Sequence, residues 1–234
     1  MSLINFLKEI ISPNLLFENS LEKATHEVLL NTVKTNSKWL DIGCGMKPYA
    51  KYFSNAEYIG IDIEESGRPN NMKAPDKYYD GVHIPYESSF FDGVLCTQVL
   101  EHVEDLNEFL AECNRILKPG GSFVISVPFL YKEHEKPYDF RRFTSFGIVS
   151  SLSISGFQNL SVTKLISSIE TIASIFCIYI DNNISEKGRI YRFLASLLII
   201  IPTVIIAKIL SFILPDNRDL YLCLLVSCIK KDPK

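Results

Sequence analysis

The stretch KWLDIGCG, residues 38–45, constrains the fold more than any other part of the chain. An apolar run ends in Asp41 and is followed by Gly43, Cys44 and Gly45. Glycines placed directly after a first strand let the backbone turn tightly and approach a ligand. A dinucleotide fingerprint would put a third glycine where the next helix opens; Pro48 stands there and disfavours NAD. About 20 residues on, EYIGID (57–62) ends in Asp62, and an acid at the tip of a second strand can accept both hydroxyls of a ribose.

The middle of the chain repeats this alternation of short apolar runs and helical patterns. Further strands are expected at YYDGVH (78–83), FDGVLCT (91–97) and GSFVISV (121–127). A long amphipathic helix is expected over residues 100–118, with Leu100, Val103, Leu106, Leu110, Cys113 and Leu117 on one face and Pro119-Gly120-Gly121 as its stop. Strands alternating with helices imply an α/β fold with a mostly parallel sheet covered on both faces. GFQNLSVTK (156–164) and DLYLCLLVSCIKK (219–231) read as two later strands, about 50 residues apart.

The 234 residues suit one large domain or a domain carrying an insertion. With 24 Lys and Arg against 27 Asp and Glu, the net charge of −3 argues against a nucleic-acid partner. The six cysteines form no CxxC pair, and five of them lie among apolar neighbours. They read as reduced, buried thiols rather than disulfides or zinc ligands. The N-terminus is too short and too charged for a signal peptide. Leu3, Phe6, Leu7 and Ile10 have helical spacing, fitting a packing helix or one that touches lipid.

LDIGCG, GID, DGVHIPYESSFFDGVLCTQVLEHVED and LKPGGSFVISVP, in that order over roughly residues 38–130, resemble the class I S-adenosylmethionine-dependent methyltransferases. The resemblance implies a Rossmann-like sheet of seven strands, the last antiparallel, with S-adenosylmethionine as cofactor. It places Asp41, Gly43, Cys44 and Gly45 along the methionine half of the cofactor, and Asp62 with Ile63 at the ribose. Asp80 and Gly81 would meet the adenine, and Thr97 and Gln98 the region of the sulfonium. A sulfonium cation suits a pocket of carboxylates and carbonyls. His102, in LEHV, is either a base near the methyl group or a packing residue.

A second segment, residues 127–157, follows the fifth strand at the carboxyl edge of the sheet, where open α/β folds bind ligands. It resembles a methyltransferase subgroup common among presumed glycan and surface-polysaccharide enzymes, through PF, His134, PYDF, Arg142 and Thr144. Arg141 departs from the aromatic expected there. His134 is the candidate base and Asp139 its orienter, while Tyr138, Arg141 and Arg142 are candidate acceptor contacts. The alternative is that Asp139 and Arg142 simply pair with each other and hold a turn.

FLASLLIIIPTVIIAKILSFIL, residues 193–214, looks like a membrane span when taken alone: 22 residues make roughly 33 Å of helix. It lies between two expected strands of one sheet, which excludes an odd number of crossings. Residues 165–180 form an amphipathic stripe that reads as a helix lying flat. Pro202 is expected to break the longer segment into two arms, with Lys208 snorkelling and Lys187, Arg189 and Arg192 as a basic anchor. Three placements fit: attachment to one membrane face, a two-helix span, or a cap buried on the domain or in a dimer interface.

The expected organisation is N-terminal helices over 1–36, a methyltransferase domain over 37–164 and 217–234, and a hydrophobic insertion over 165–216. The resemblance and the insertion together imply methyl transfer to a hydroxyl or acidic group of a lipid-linked or cell-surface glycan, at the cytoplasmic membrane face. A methyltransferase for an isoprenoid quinone or other membrane lipid, and a non-catalytic scaffold that binds the cofactor, are the alternatives.

Overall fold

The structure, a computed structural model, describes residues 13–184 and 187–232. The expectation for Leu3 to Ile10 lies outside the described residues. A helix α1 (Pro13–Thr32) precedes the first strand. The sheet is built from β1 (Lys38–Ile42), β2 (Glu57–Ile63), β3 (Lys77–Tyr79), β4 (Phe91–Thr97), β5 (Leu117–Pro128), β6 (Phe157–Ser167) and β7 (Tyr221–Lys230). Their order is β3-β2-β1-β4-β5-β7-β6. The first five strands pair in parallel and the last are antiparallel, which is the α/β methyltransferase sheet expected. The strand order reverses between β1 and β4, and ligands in such folds bind outside the carboxyl ends of strands at that point.

The central strands are continuous apolar runs because both faces of a parallel sheet are covered. Leu40, Ile42, Ile61, Val94, Leu95, Phe123, Val124 and Ile125 are fully buried. Trp39 lies flat against β4, and a Cβ on Gly93 would come within 2.4 Å of its ring.

Three expected elements differ in extent. The strand read at 78–83 stops at Tyr79, because the Asp80 carboxylate accepts the N–H groups of Val82 and His83 at 2.8 and 2.7 Å and turns the chain. The helix read at 100–118 is only α2 (Leu106–Ile116). The side chain of Asp105 caps it at the N–H groups of Asn107 and Glu108, and Leu100–His102 form a separate 3₁₀ turn. Leu117 already belongs to β5, where Pro119 to Gly121 are absorbed as an irregularity opposite Asp92. A helix α3 (Ser145–Ile154), capped by Thr144 as expected, leads into β6.

The chain divides into two compact units. One holds Ala24–Thr163 together with the chain from Leu224 onward and contains the glycine turn and the strands around it. The other holds Lys164–Cys223 and the start of α1. It contains α4 (Ile169–Ile184), α5 (Arg189–Ala195), a π-helical turn (Ser196–Ile200) and α6 (Ile201–Ser211). Pro202 does not separate two arms: Ile190–Ser211 is one helical run of 22 residues. The π turn, in which Ile201 N–H reaches Ser196 O, accommodates a proline that lacks an N–H and would crowd an α-helical turn. The strand at 156–164 extends to Ser167, so the amphipathic helix begins later than expected, at Ile169.

Within this second unit most buried helical positions hold small residues and many large apolar ones are exposed, with Ile178 and Ile200 as buried exceptions. The small residues Ala173, Cys177, Ala195, Ser196 and Ala207 are buried. Large apolar ones such as Phe176, Leu198, Ile206 and Phe212 are exposed, Phe212 to 89%. Lys208 pairs with Glu170 at 2.8 Å and Arg192 with Asp181 at 3.1 Å.

Candidate active site

The glycine turn is built before any ligand is considered. Gly43 has φ +70°, and a Cβ there would meet Val99 at 2.4 Å, so only glycine fits. Its N–H and that of Cys44 both donate to Ile61 O, at 2.9 and 3.1 Å, which ties the turn to β2. Asp62 is buried, and its carboxylate accepts from Gly45 N–H at 3.0 Å and from Ile63 N–H at 2.8 Å. Two of its lone-pair positions are thereby fixed and the others stay available on the cleft side.

That cleft has a volume of about 300 Å³. Gly43, Asp62, Ile63, Asp80, Gly81, Gln98, His102 and Tyr138 line it, so the structure brings together residues from the glycine turn, the tip of β2, the end of β4 and the segment after β5. Val82, Val99 and Phe109 add apolar wall, and Glu65, Glu104, Asp105, Glu108 and Glu135 add carboxylates. Arg68 is the cationic side chain among them, and Glu135 accepts from it at 2.8 and 3.1 Å. Gly67 lets these two loops meet: a Cβ there would lie 2.2 Å from Glu135 O. An acid-rich rim of this kind favours a cationic ligand.

Gln98 ends β4 in the left-handed region, φ +55°, with its N–H on Ser126 O and its amide on Ser126 Oγ. A non-glycine residue held there by two such bonds points to a position whose geometry matters. Asp80 is held ionised below the usual carboxylate range by the N–H groups of Val82 and His83, and by His83 itself.

Other expected residues lie off the cleft lining. Cys44 is packed under the turn, against Gly60, and its carbonyl neighbour is the hydrogen-bond partner of its thiol. Asp41 is fully buried beneath the turn and hydrogen-bonded to Tyr58 OH. Burial pushes its carboxyl up to about 7 against the opposing effect of that hydrogen bond, with Asp62 raising it further. Gly45 acts through its N–H on Asp62, and Thr97 precedes the cleft residue Gln98.

The second segment resolves into an ion-paired core. Arg142 donates to both carboxylate oxygens of Asp139, at 2.5 and 2.7 Å, and to the carbonyls of Lys132 and Arg141. Asp139 is nearly inaccessible; burial would raise its pKa, but the Arg142 hydrogen bonds hold it at about 2. The pairing alternative describes this pair, so Arg142 is not a free anion contact, and Arg141 donates instead to Glu104 O. His134 donates its backbone N–H to the same Asp139 carboxylate at 2.9 Å, and its Nδ1 lies 3.2 Å from it. Burial and the adjacent His102 lower its pKa.

His102 donates from Nδ1 to Tyr138 O at 2.9 Å. Its Nε2 is buried, without a hydrogen-bond partner among the described residues, and faces Glu101 at 3.9 Å. Neither ring nitrogen is therefore open to the cleft, which removes His102 as a direct base in this geometry. Glu101 escaped the sequence reading. It is fully buried in the 3₁₀ turn, neither carboxylate oxygen has a hydrogen-bond partner among the described residues, and burial pushes its carboxyl up to about 8. The only signal was an acid set between Leu100 and Val103 in an apolar stretch.

A family described as a methyltransferase domain matches residues 40–125. The ubiquinone biosynthesis O-methyltransferase of Rhodopseudomonas palustris is 32% identical over 103 residues, covering 38% of this chain and 39% of that protein. The chain thus matches about two fifths of that relative's length. Among solved structures, an SAM-dependent methyltransferase from Thermotoga maritima superposes with a TM-score of 0.56 at 16% identity, covering 92% of each chain. The phosphoethanolamine N-methyltransferase 2 of Haemonchus contortus, solved with S-adenosyl-L-methionine, has a TM-score of 0.55 at 18% identity over 89% of this chain and 53% of that one.

The buried Asp41 makes a prediction on stability. Its folded pKa of about 7 exceeds the ordinary 3.8, so wild type loses stability relative to Asp41→Asn as pH rises from about 4 to about 7. Denaturant unfolding across that range should show the stability of wild type relative to Asp41→Asn falling by about 4 kcal/mol and then levelling off. A gap independent of pH would contradict the assignment. Residues 40–125 accordingly match the methyltransferase domain, carried on a sheet of the class I methyltransferase fold.

Proposed function

We propose that the protein is an S-adenosylmethionine-dependent methyltransferase that modifies a hydroxyl or acidic group of a lipid-linked or cell-surface glycan at a membrane. The observation that carries the cofactor reading is the Asp62 carboxylate, fixed by two backbone N–H groups at the edge of an acid-rich cleft. The residues present fit the group. Asp62 has lone pairs left for a ribose diol, Ile63, Val82 and Val99 offer apolar surface to an adenine, and Gly43 leaves room for close approach.

When bound, S-adenosylmethionine supplies an electrophilic methyl group on a sulfonium. The chain's part is alignment and electrostatics: the rim carboxylates favour the cation, and Gln98, locked on Ser126, defines the wall at the end of β4. The Asp139–Arg142 pair orients His134, and Tyr138 lines the cleft.

The membrane reading is supported by the small buried and large exposed residues of the helical unit. In water, large apolar side chains go inside; where the surroundings are lipid, small residues pack between helices and large ones face out. Ile190–Ser211 is long and apolar enough to cross a bilayer, and within it an 18-residue stretch has a mean hydropathy of 2.5 and is only 22% buried. It returns to β7, which lies beside β6 in the sheet, so attachment to one face fits better than a lone crossing. Such a tether would raise the local concentration of a lipid-linked acceptor. The quinone alternative draws on the name of the Rhodopseudomonas relative and shares the cofactor site.

Two measurements test these readings. Native membranes incubated with methyl-labelled S-adenosylmethionine should acquire label in glycan-lipid with wild type, and at least ~100-fold less with Asp62→Ala, whose cofactor affinity should fall in step. Label in quinone would replace the acceptor assignment, and no label despite cofactor binding would favour the scaffold. In flotation with liposomes, wild type should rise with the lipid, and a variant with Phe193, Leu198, Ile206 and Phe212 replaced by serine should stay at the bottom. Wild type that fails to float would reject the tether.

A further inference from the structure

We propose that Glu101, His102 and His134 bind a divalent transition-metal ion, the two histidines through Nε2 and the glutamate through its carboxylate. One donor atom from each residue lies within 4.8 Å of the others. Ligand atoms around a tetrahedral zinc are about 3.4 Å apart, so the widest separation in the cluster has to close by about 1.4 Å on binding.

The hydrogen bonding prepares both imidazoles for this role. His102 spends Nδ1–H on Tyr138 O, and His134 has Nδ1 against Asp139 Oδ2 at 3.2 Å and Lys132 O at 3.4 Å. Carbonyl and carboxylate oxygens only accept, so each ring carries its proton on Nδ1 and its lone pair on Nε2. A metal-bound histidine shows this arrangement, its second nitrogen held by a carbonyl or carboxylate. The two rings meet edge to face with centroids 4.8 Å apart.

Glu101 supplies an independent observation. Both of its oxygens are buried without a hydrogen-bond partner among the described residues, and so is His102 Nε2. A buried carboxyl without hydrogen-bond partners is neutralised either by a proton or by a metal ion. The nearby guanidinium does not satisfy it: Arg142 gives Nη1 and Nη2 to Asp139 and two carbonyls, and its Nε has no hydrogen-bond partner among the described residues. Two imidazoles and one carboxylate select zinc, cobalt, iron or manganese over magnesium or calcium, which prefer oxygen ligands.

The full chain, stripped with a chelator and titrated with Co²⁺ or Zn²⁺, should take up one ion per chain, read by elemental analysis after desalting and by the visible absorption of bound cobalt. Glu101→Gln and His134→Ala should each weaken binding by at least about 10-fold. His26→Ala and His83→Ala, which alter the remaining histidines, should leave it unchanged. His134→Ala serves where Glu101→Gln does not fold, because His134 is only part-buried. No stoichiometric ion on wild type, or wild-type affinity in the folded variants, would overturn the proposal. The readout is bound metal, so it stands or falls apart from methyl transfer.

Discussion

The carboxylate of Asp62 holds the candidate site together. Its two hydrogen bonds, from Gly45 N–H and Ile63 N–H, tie the glycine turn after β1 to the tip of β2. The turn can reach β2 only because Gly43 takes a left-handed conformation under Val99, where a side chain has no room. Asp76 reinforces the same junction from below, accepting from Gly60 N–H at 2.8 Å. A ligand carboxylate fixed by backbone rather than by side chains loses little further freedom on binding, and rigid, pre-oriented groups are what a transfer reaction uses.

Periodic features of this architecture were legible in the sequence, and features that depend on pairing were not. β1, β2 and β4 follow from apolar runs with clear glycine or acidic ends. The early end of β3 depends on Asp80 turning its carboxylate onto Val82 and His83, a local choice that an alternating pattern conceals. The helix start at Leu106 depends likewise on the Asp105 cap. Arg142 looked like an anion contact because arginine in a loop so often is one; its Asp139 partner three residues earlier was visible, but the choice between ligand and partner is made in three dimensions. Glu101 was missed because apolar neighbours imply a buried segment and say nothing of what a lone acid within it faces.

Pro202 carries a similar lesson. As a helix breaker it predicted two arms, whereas one widened turn over Ser196–Ile200 keeps the run continuous. The continuous run presents Leu197, Leu198, Ile205, Ile206 and Ile209 as exposed apolar side chains along one helix. Water penalises that surface, and a bilayer does not.

The central claim is that the cleft around Asp62 is a cofactor site with the ribose at that carboxylate. A crystal structure of the protein with S-adenosylhomocysteine tests it most directly. The account predicts both ribose hydroxyls within hydrogen-bond distance of Asp62, the adenine beside Ile63 and Val82, and the sulfur on the Gln98 side of the cleft. A ligand bound elsewhere, or bound in the cleft with its ribose away from Asp62, would contradict it.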